Sequence, residues 1–388
     1  MVVGLKYLLA TGLALAPLAA APALARTMMY ISNSVDGDID VFTMDPVGGA
    51  LTPQAKTPAA KIVMPLAVSP DKHHLYAVVR SDPTRVLTYA IDGQSGALAK
   101  VAEASLPGSM PYVATDRAGH FLFTASYAGN KVAVSPIDDD GKVTRDAIQV
   151  VPTGNNAHAI QADRTNRFVF ASNLGSDQIV QFRFDAATGA LTPNDPPIVK
   201  TTPGEGPRHF VFSPDNRFVY VLHELAGTVA QFALDQERGT LTPMGTVESV
   251  PPESNLVRGV VQGPITAARL AARAEAPPAD AKRAMSAADI QMTPDGRFLY
   301  TTERTSSKLA MFSVDPATGK LRYLGNVSTA SQPRGIKIDP RGRFLVASGE
   351  KSNVVVVHRI DQETGRLSEV GRYPGGEGAN WVEIVDLP

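Results

Sequence analysis

Cysteine is absent from the 388-residue chain, which excludes disulfides, a thiolate nucleophile and Cys-ligated zinc or iron–sulfur centres. An excess of charge of either sign is missing too, because 37 Lys and Arg stand against 38 Asp and Glu. That balance supplies no basic field with which to hold nucleic acid. Aromatic residues are few, at 6% with a single Trp, and beyond residue 25 no run is apolar enough to cross a bilayer. What the chain has in quantity is Gly (32) and Pro (30), a composition that suits many short strands joined by turns.

The N-terminus reads as an export signal. Lys6 is its one charge, an apolar run extends from Tyr7 to Ala21, and Pro22-Ala23-Leu24-Ala25 ends in a small-residue cleavage pattern. The run is interrupted by Gly12 and Pro17 and falls short of a membrane span. A mature chain from Arg26 is therefore expected, periplasmic or secreted, without stable membrane insertion after cleavage.

Two phrases recur along the rest of the chain. The first is typified by Thr293-Pro294-Asp295-Gly296-Arg297-Phe298-Leu299-Tyr300, and its anchors are Tyr30, Tyr76, Phe123, Phe170, Tyr220, Tyr300 and Val346. Their spacings are 46, 47, 47, 50, 80 and 46. The second is an apolar strand, an Asp and a Gly-x-Leu-like turn, ending at Leu51, Leu98, Val143, Leu191, Leu241, Leu321 and Leu367. Two independent phrases thus agree on seven copies. A period near 47 with β-branched runs such as Val354-Val355-Val356-Val357 predicts an all-β, seven-bladed propeller.

The innermost strands are expected at Leu66, Tyr112, His158, Arg208, Asp289, Arg334 and Trp381. The last of these lies at the C-terminus, while no such strand precedes Tyr30 outside the signal. Closure by pairing the C-terminal strand into the N-terminal blade follows, which removes exposed edges without disulfides. Residues 251–287 form an insertion rich in Ala, Pro and Arg, with a short helix expected over Ile265 to Ala276. It reads as a surface loop or as a cover beside the channel mouth.

Equivalent positions in successive blades encircle the axis, so the repeat alignment predicts spatial neighbours. One ring is Leu66, Tyr112, His158, Arg208, Ala288, Arg334 and Trp381; a second is Ser34, Arg80, Tyr127, Leu174, Glu224, Arg304 and Glu350. Both should face one mouth of the channel. Arg167, Arg217, Arg297 and Arg343 recur in register and read as structural. The ring residues differ from blade to blade, which sets His158, Arg208, Glu224 and Arg304 apart as catalytic candidates. Arg334, Trp381, Tyr112 and Arg80 become candidates for substrate binding. The seven His residues contain no His-x-x-x-His pair, no Gly-x-Ser-x-Gly elbow occurs, and neither a metal nor another cofactor is expected.

Gly206-Pro207-Arg208-His209, His223-Glu224-Leu225, Ala287-Ala288-Asp289-Ile290, Gln332-Pro333-Arg334-Gly335 and Asn380-Trp381 carry a resemblance. Over nearly all of residues 28–388 the chain resembles the seven-bladed β-propeller lactonases of the 6-phosphogluconolactonase type, related to fungal carboxymuconate cycloisomerases. The resemblance implies hydrolysis of a sugar-type lactone, with the family's His at His158, its two Arg at Arg208 and Arg304, and its Glu at Glu224. It implies a small-molecule lactone as partner, and a monomer is expected. Two features depart from the family: the length of the 251–287 insertion, and an export signal that separates the protein from cytoplasmic sugar phosphates. A non-catalytic binding propeller and a muconate-type cycloisomerase remain as alternatives.

Overall fold

The computed structural model describes residues 1–3, 26–263 and 282–387. Most of the expected signal and all of the expected helix at Ile265 to Ala276 lie outside the described residues. The described chain forms seven four-stranded antiparallel sheets, each built from strands consecutive in sequence except one. In that sheet the C-terminal strand Ala379–Leu387 pairs with Arg26–Asn33, followed by Asp38–Met44 and Leu51–Pro58. The ring is closed by this exchange, as the missing first strand required. The first strand of each sheet touches its counterparts in both neighbouring blades, so seven strands line a common axis.

The two repeated phrases meet between blades, which explains why both recur. Tyr30, Tyr76, Tyr220 and Tyr300 are buried anchors whose hydroxyls donate to the backbone carbonyls of Gly96, Gly141, Gly319 and Gly365 in the next blade. These glycines belong to the Gly-x-Leu-like turns. Gly319 shows the constraint: its φ of +69° favours glycine, and a Cβ there would run into the Phe218 ring of the preceding blade. Packing between blades, with no cysteine available, is carried by these contacts and by the apolar clusters that span adjacent sheets.

Six of the seven inner strands begin with a bulge. The register slips at Val63/Leu66, Ala157/Ala159, Pro207/Phe210, Ala287/Ile290 and Pro333/Gly335, and opposite Ser32/Asn33 in the closing strand. The exception is Tyr112–Thr115, which pairs without a slip. A bulge puts extra residues into one strand, re-aims their side chains and frees backbone groups that must find partners. Hydroxyls on the second strand of a blade supply several of these partners. Ser172 Oγ accepts from Ala159 N and donates to the Arg208 carbonyl; Thr302 Oγ1 accepts from Asp289 N; Ser32 Oγ donates to Met64 O; Ser348 Oγ donates to Gly335 O. The unbulged blade carries Ala125 at the matching position.

Candidate active site

The bulges place the catalytic candidates. His158 and Arg334 are the extra residues of their strands, and Arg208 and His209 together oppose Leu222. Glu224 and Arg304 come from the loops that follow the second strands Phe218–His223 and Phe298–Glu303. Because adjacent strands are antiparallel, those loops lie at the end of the channel where the inner strands start.

Glu224 is the hub of the cluster. One carboxylate oxygen accepts from Arg208 Nε and the other from Arg304 Nη2, each at 2.8 Å. Arg208 Nη1 also donates to Ala288 O, and Arg304 Nε donates to Ser286 O at 2.9 Å. Both guanidinium groups are thus fixed through two donors, and Arg208 is 1% exposed. Burial alone would raise the Glu224 carboxyl, but Arg304, Arg208 and Arg334 hold it below its ordinary value. Glu224 is thus held in its ionised form, with one arginine on each of its oxygens.

His158 sits beside this cluster, 4% exposed, with the Tyr127 ring 5.7 Å away and edge-on. Burial pushes its imidazole well below the usual value, and the charges of Arg208, of His209 in its protonated form and of Arg334 push in the same direction. It is neutral at neutral pH, the form that can accept a proton. Its Nδ1 is buried without a hydrogen-bond partner. Arg334 approaches Glu350 at 3.9 Å. Arg80 donates from Nε to Ser109 Oγ at 3.0 Å, and burial lowers its guanidinium to about 9, with Arg334 adding to the effect. The mouth therefore gathers Arg80, Arg208, Arg304 and Arg334 around two glutamates, Glu224 and Glu350. Its electrostatic surplus is positive and suits an anionic or anion-developing ligand.

Tyr112 and Trp381 occupy a different level from the one their alignment with His158 and Arg208 implied. They pack on His209, with ring centroids at 5.1 and 5.6 Å, and on each other at 5.6 Å. The closing strand's bulge falls at Asn380, so Trp381 corresponds to His209 and not to Arg208. With His209 and Asp289 these rings bound a cavity of about 270 Å³ that continues past Gln161, Gln291 and Lys337, at the ends of the inner strands. Neither His158 nor Arg208, Glu224 or Arg304 lines it. Tyr112 and Trp381 thus line this cavity together with His209, set back from the His158 cluster.

Over residues 28–384 the chain matches the model of the family described as lactonase, 7-bladed β-propeller. The chain belongs to that family. It is 37% identical to the 6-phosphogluconolactonase of Pectobacterium carotovorum, over 93% of this chain and 99% of that one. It is 36% identical to the 6-phosphogluconolactonase of Serratia proteamaculans, again over 93% and 99% of the two chains. Among solved structures, the Pseudomonas aeruginosa periplasmic gluconolactonase PpgL superposes with a TM-score of 0.79 at 25% identity, covering 94% of this chain and all of that one. This lactonase is an enzyme of the ester-hydrolysing kind, and its fold is the all-β closed propeller expected from the repeats.

The repeat alignment passed over two buried residues of this lactonase. His209 and Asp289 occur in the quoted motifs but were not singled out, because each adjoins a ring position and is not itself on the ring. The signal was a pair of residues at one strand start, Arg208-His209 and Ala288-Asp289, where an ordinary strand would send one of the two away from the axis.

Proposed function

We propose that this lactonase opens a sugar-type δ-lactone bearing an anionic substituent, of the 6-phosphogluconolactone class, to its hydroxy acid. The observation that carries this reading is a neutral, buried His158 beside Arg208, which Glu224 ties to Arg304. Water attacks the lactone carbonyl as His158 takes its proton, forming a carbon–oxygen bond and a tetrahedral oxyanion. Arg208 retains Nη2 and Arg304 retains Nη1 beyond the bonds that fix them, and these donors face the growing negative charge. Collapse breaks the bond to the ring oxygen, and His158 returns the proton to the departing alkoxide. Arg80 and Arg334 are suited to grip the anionic substituent. The two named 6-phosphogluconolactonases support the phosphorylated substrate, and the Pseudomonas gluconolactonase supports a sugar lactone more broadly.

The test is proton release from 6-phosphogluconolactone and from glucono-δ-lactone, measured above the spontaneous rate with the chain from Arg26. His158→Ala is expected to lower kcat by about 10²–10⁴-fold with little change in KM, since the group acts in the transition state. Full turnover in that variant would remove His158 from the reaction. Preference for the phosphorylated lactone, lost on Arg80→Met or Arg334→Met, would assign the substituent.

Export belongs to the same proposal, with a monomeric chain cleaved after Ala25 and acting in the periplasm or outside the cell. The first strand begins at Arg26, so cleavage there leaves the propeller whole. Intact mass and gel filtration of the periplasmic product check both points; a retained residue 1–25 segment would refute cleavage.

A further inference from the structure

Below His158 lies a second histidine for which the proposed reaction has no use. His209 Nδ1 is 2.9 Å from Asp289 Oδ1 in the next blade. Asp289 also accepts the backbone N–H of Ile290, and that of Ile336 from the blade beyond, each at 2.9 Å. Burial opposes the charge on Asp289, yet the contacts from His209, Ile336 N–H and Arg208 hold its carboxyl below the ordinary value. An ionised carboxylate only accepts, so the proton of a neutral His209 belongs on Nδ1. Its Nε2 then carries a lone pair, and that atom is buried without a partner.

The rings of His209 and His158 meet edge-on, with centroids 5.2 Å apart. Each thus holds one buried, unpartnered nitrogen: Nε2 on His209 and Nδ1 on His158. Tyr112 and Trp381 close His209 in from the other side. When His158 takes a proton, its new charge develops beside Arg208 and Arg334. Glu224 is already shared between Arg208 and Arg304, one on each oxygen. Asp289 is the carboxylate placed on the underside, and the His209 ring lies between it and His158.

We propose that neutral His209, held in one tautomer by Asp289, is a positioning residue that seats the His158 ring and keeps the negative charge of Asp289 behind it while His158 activates water. The inference deepens the lactonase mechanism and rests on His158 being its base. The charged and titratable groups in play are few. Arg208, Arg334, His209 and the Tyr127 ring face His158; Arg208, Arg334, Asp289, Tyr112 and His158 face His209.

Asp289→Asn is the decisive variant, because it removes the charge with little change of shape. Its kcat should fall at least about ten-fold while KM stays within about two-fold. The acid limb of its kcat/KM profile should also move to lower pH, because His158 then faces the arginines with less compensation. A purely structural role would lower the amplitude and leave the limb in place, which would overturn the proposal. A second measurement needs no variant and no turnover: ¹⁵N imidazole spectra of the wild-type chain should show His209 protonated on Nδ1 at neutral pH. A proton on Nε2 would also overturn it. Should no lactone be hydrolysed, the same spectra of Asp289→Asn still separate the ideas, since a lowered His158 titration would uphold the coupling while the lactonase reading failed.

Discussion

The arginines of the repeated turns and the arginines of the channel mouth have the same chemistry and opposite settings. Arg217 and Arg297 each pair with a carboxylate two residues earlier, at 2.6 Å, with both partners close to half exposed. Their guanidinium groups lie over the neighbouring Phe218 and Phe298 rings, at 5.1 and 5.2 Å. Arg208 is buried and the Arg304 side chain is 12% exposed, and the two share one carboxylate, reached across 16 and 80 residues of chain. The turn arginines recur in four blades because those blades share the same turn. At the mouth each ring position carries Arg in only two blades, Arg208 and Arg334 in one ring and Arg80 and Arg304 in the other, with other residue types in the remaining blades. Recurrence in sequence thus separates structural from chemical use of one residue type, and burial sets what each is worth.

The sharpest consequence concerns removal of the partner acid. Glu224→Ala strands the buried Arg208 guanidinium and the part-buried one of Arg304 and should cost about 3–5 kcal/mol of stability, together with most of the activity. Asp215→Ala breaks a half-exposed pair and should cost less than about 1 kcal/mol. Urea unfolding of both variants from Arg26 onward makes the comparison directly. Equal losses would mean that burial of the mouth cluster has been overvalued.

Acid should act on the interior before it acts on the turns. Burial lowers the imidazoles of His209 and His358 to about 4 and depresses His158 as well. In the unfolded chain these groups titrate at about 6.5, so below that pH the unfolded state binds protons that the native state refuses. Stability should therefore be independent of these three groups above about pH 6.5 and fall as pH drops from there toward about 4. The slope should approach about 1.4 kcal/mol per pH unit for each such histidine. Urea midpoints at several pH values check the sign; a midpoint that rose on acidification would show that these residues are charged in the native state.

The fold was legible because a closed repeat announces itself twice, through the Tyr anchor and through the Gly-x-Leu-like turn that the anchor's hydroxyl reaches. His158, Arg208, Glu224 and Arg304 were legible as positions that break the repeat, and the structure gathers them at one mouth. The depth of Tyr112 and Trp381 was not legible. An alignment counts residues, whereas a bulge adds one to a strand without changing its neighbours, so Trp381 stands a level away from where counting puts it. His209 and Asp289 escaped for the same reason. Hydroxyls at Ser32, Ser172, Thr302 and Ser348, set against Ala125 in the unbulged blade, are a sequence trace of four of the bulges. Leu222 and Val78, in blades that bulge without such a hydroxyl, keep the trace from being a rule.

The smallest expected effect tests whether burial, and not charge, makes the difference between turn and mouth. Within one repeated phrase Tyr220 is a buried neutral hydroxyl and Arg217 is an exposed charge. Tyr220 donates to Gly319 O at 2.8 Å across the blade boundary, inside the packed interface. Tyr220→Phe leaves that carbonyl without its donor and should cost about 1 kcal/mol. Arg217→Ala gives up a ring contact, an ion pair and a bond to Pro316 O in water, and should stay within about 0.5 kcal/mol of wild type. If the arginine proved the costlier loss, the half-exposed pairs would be contributing what this comparison assigns to buried ones, and the contrast between the two regions would rest on recurrence alone.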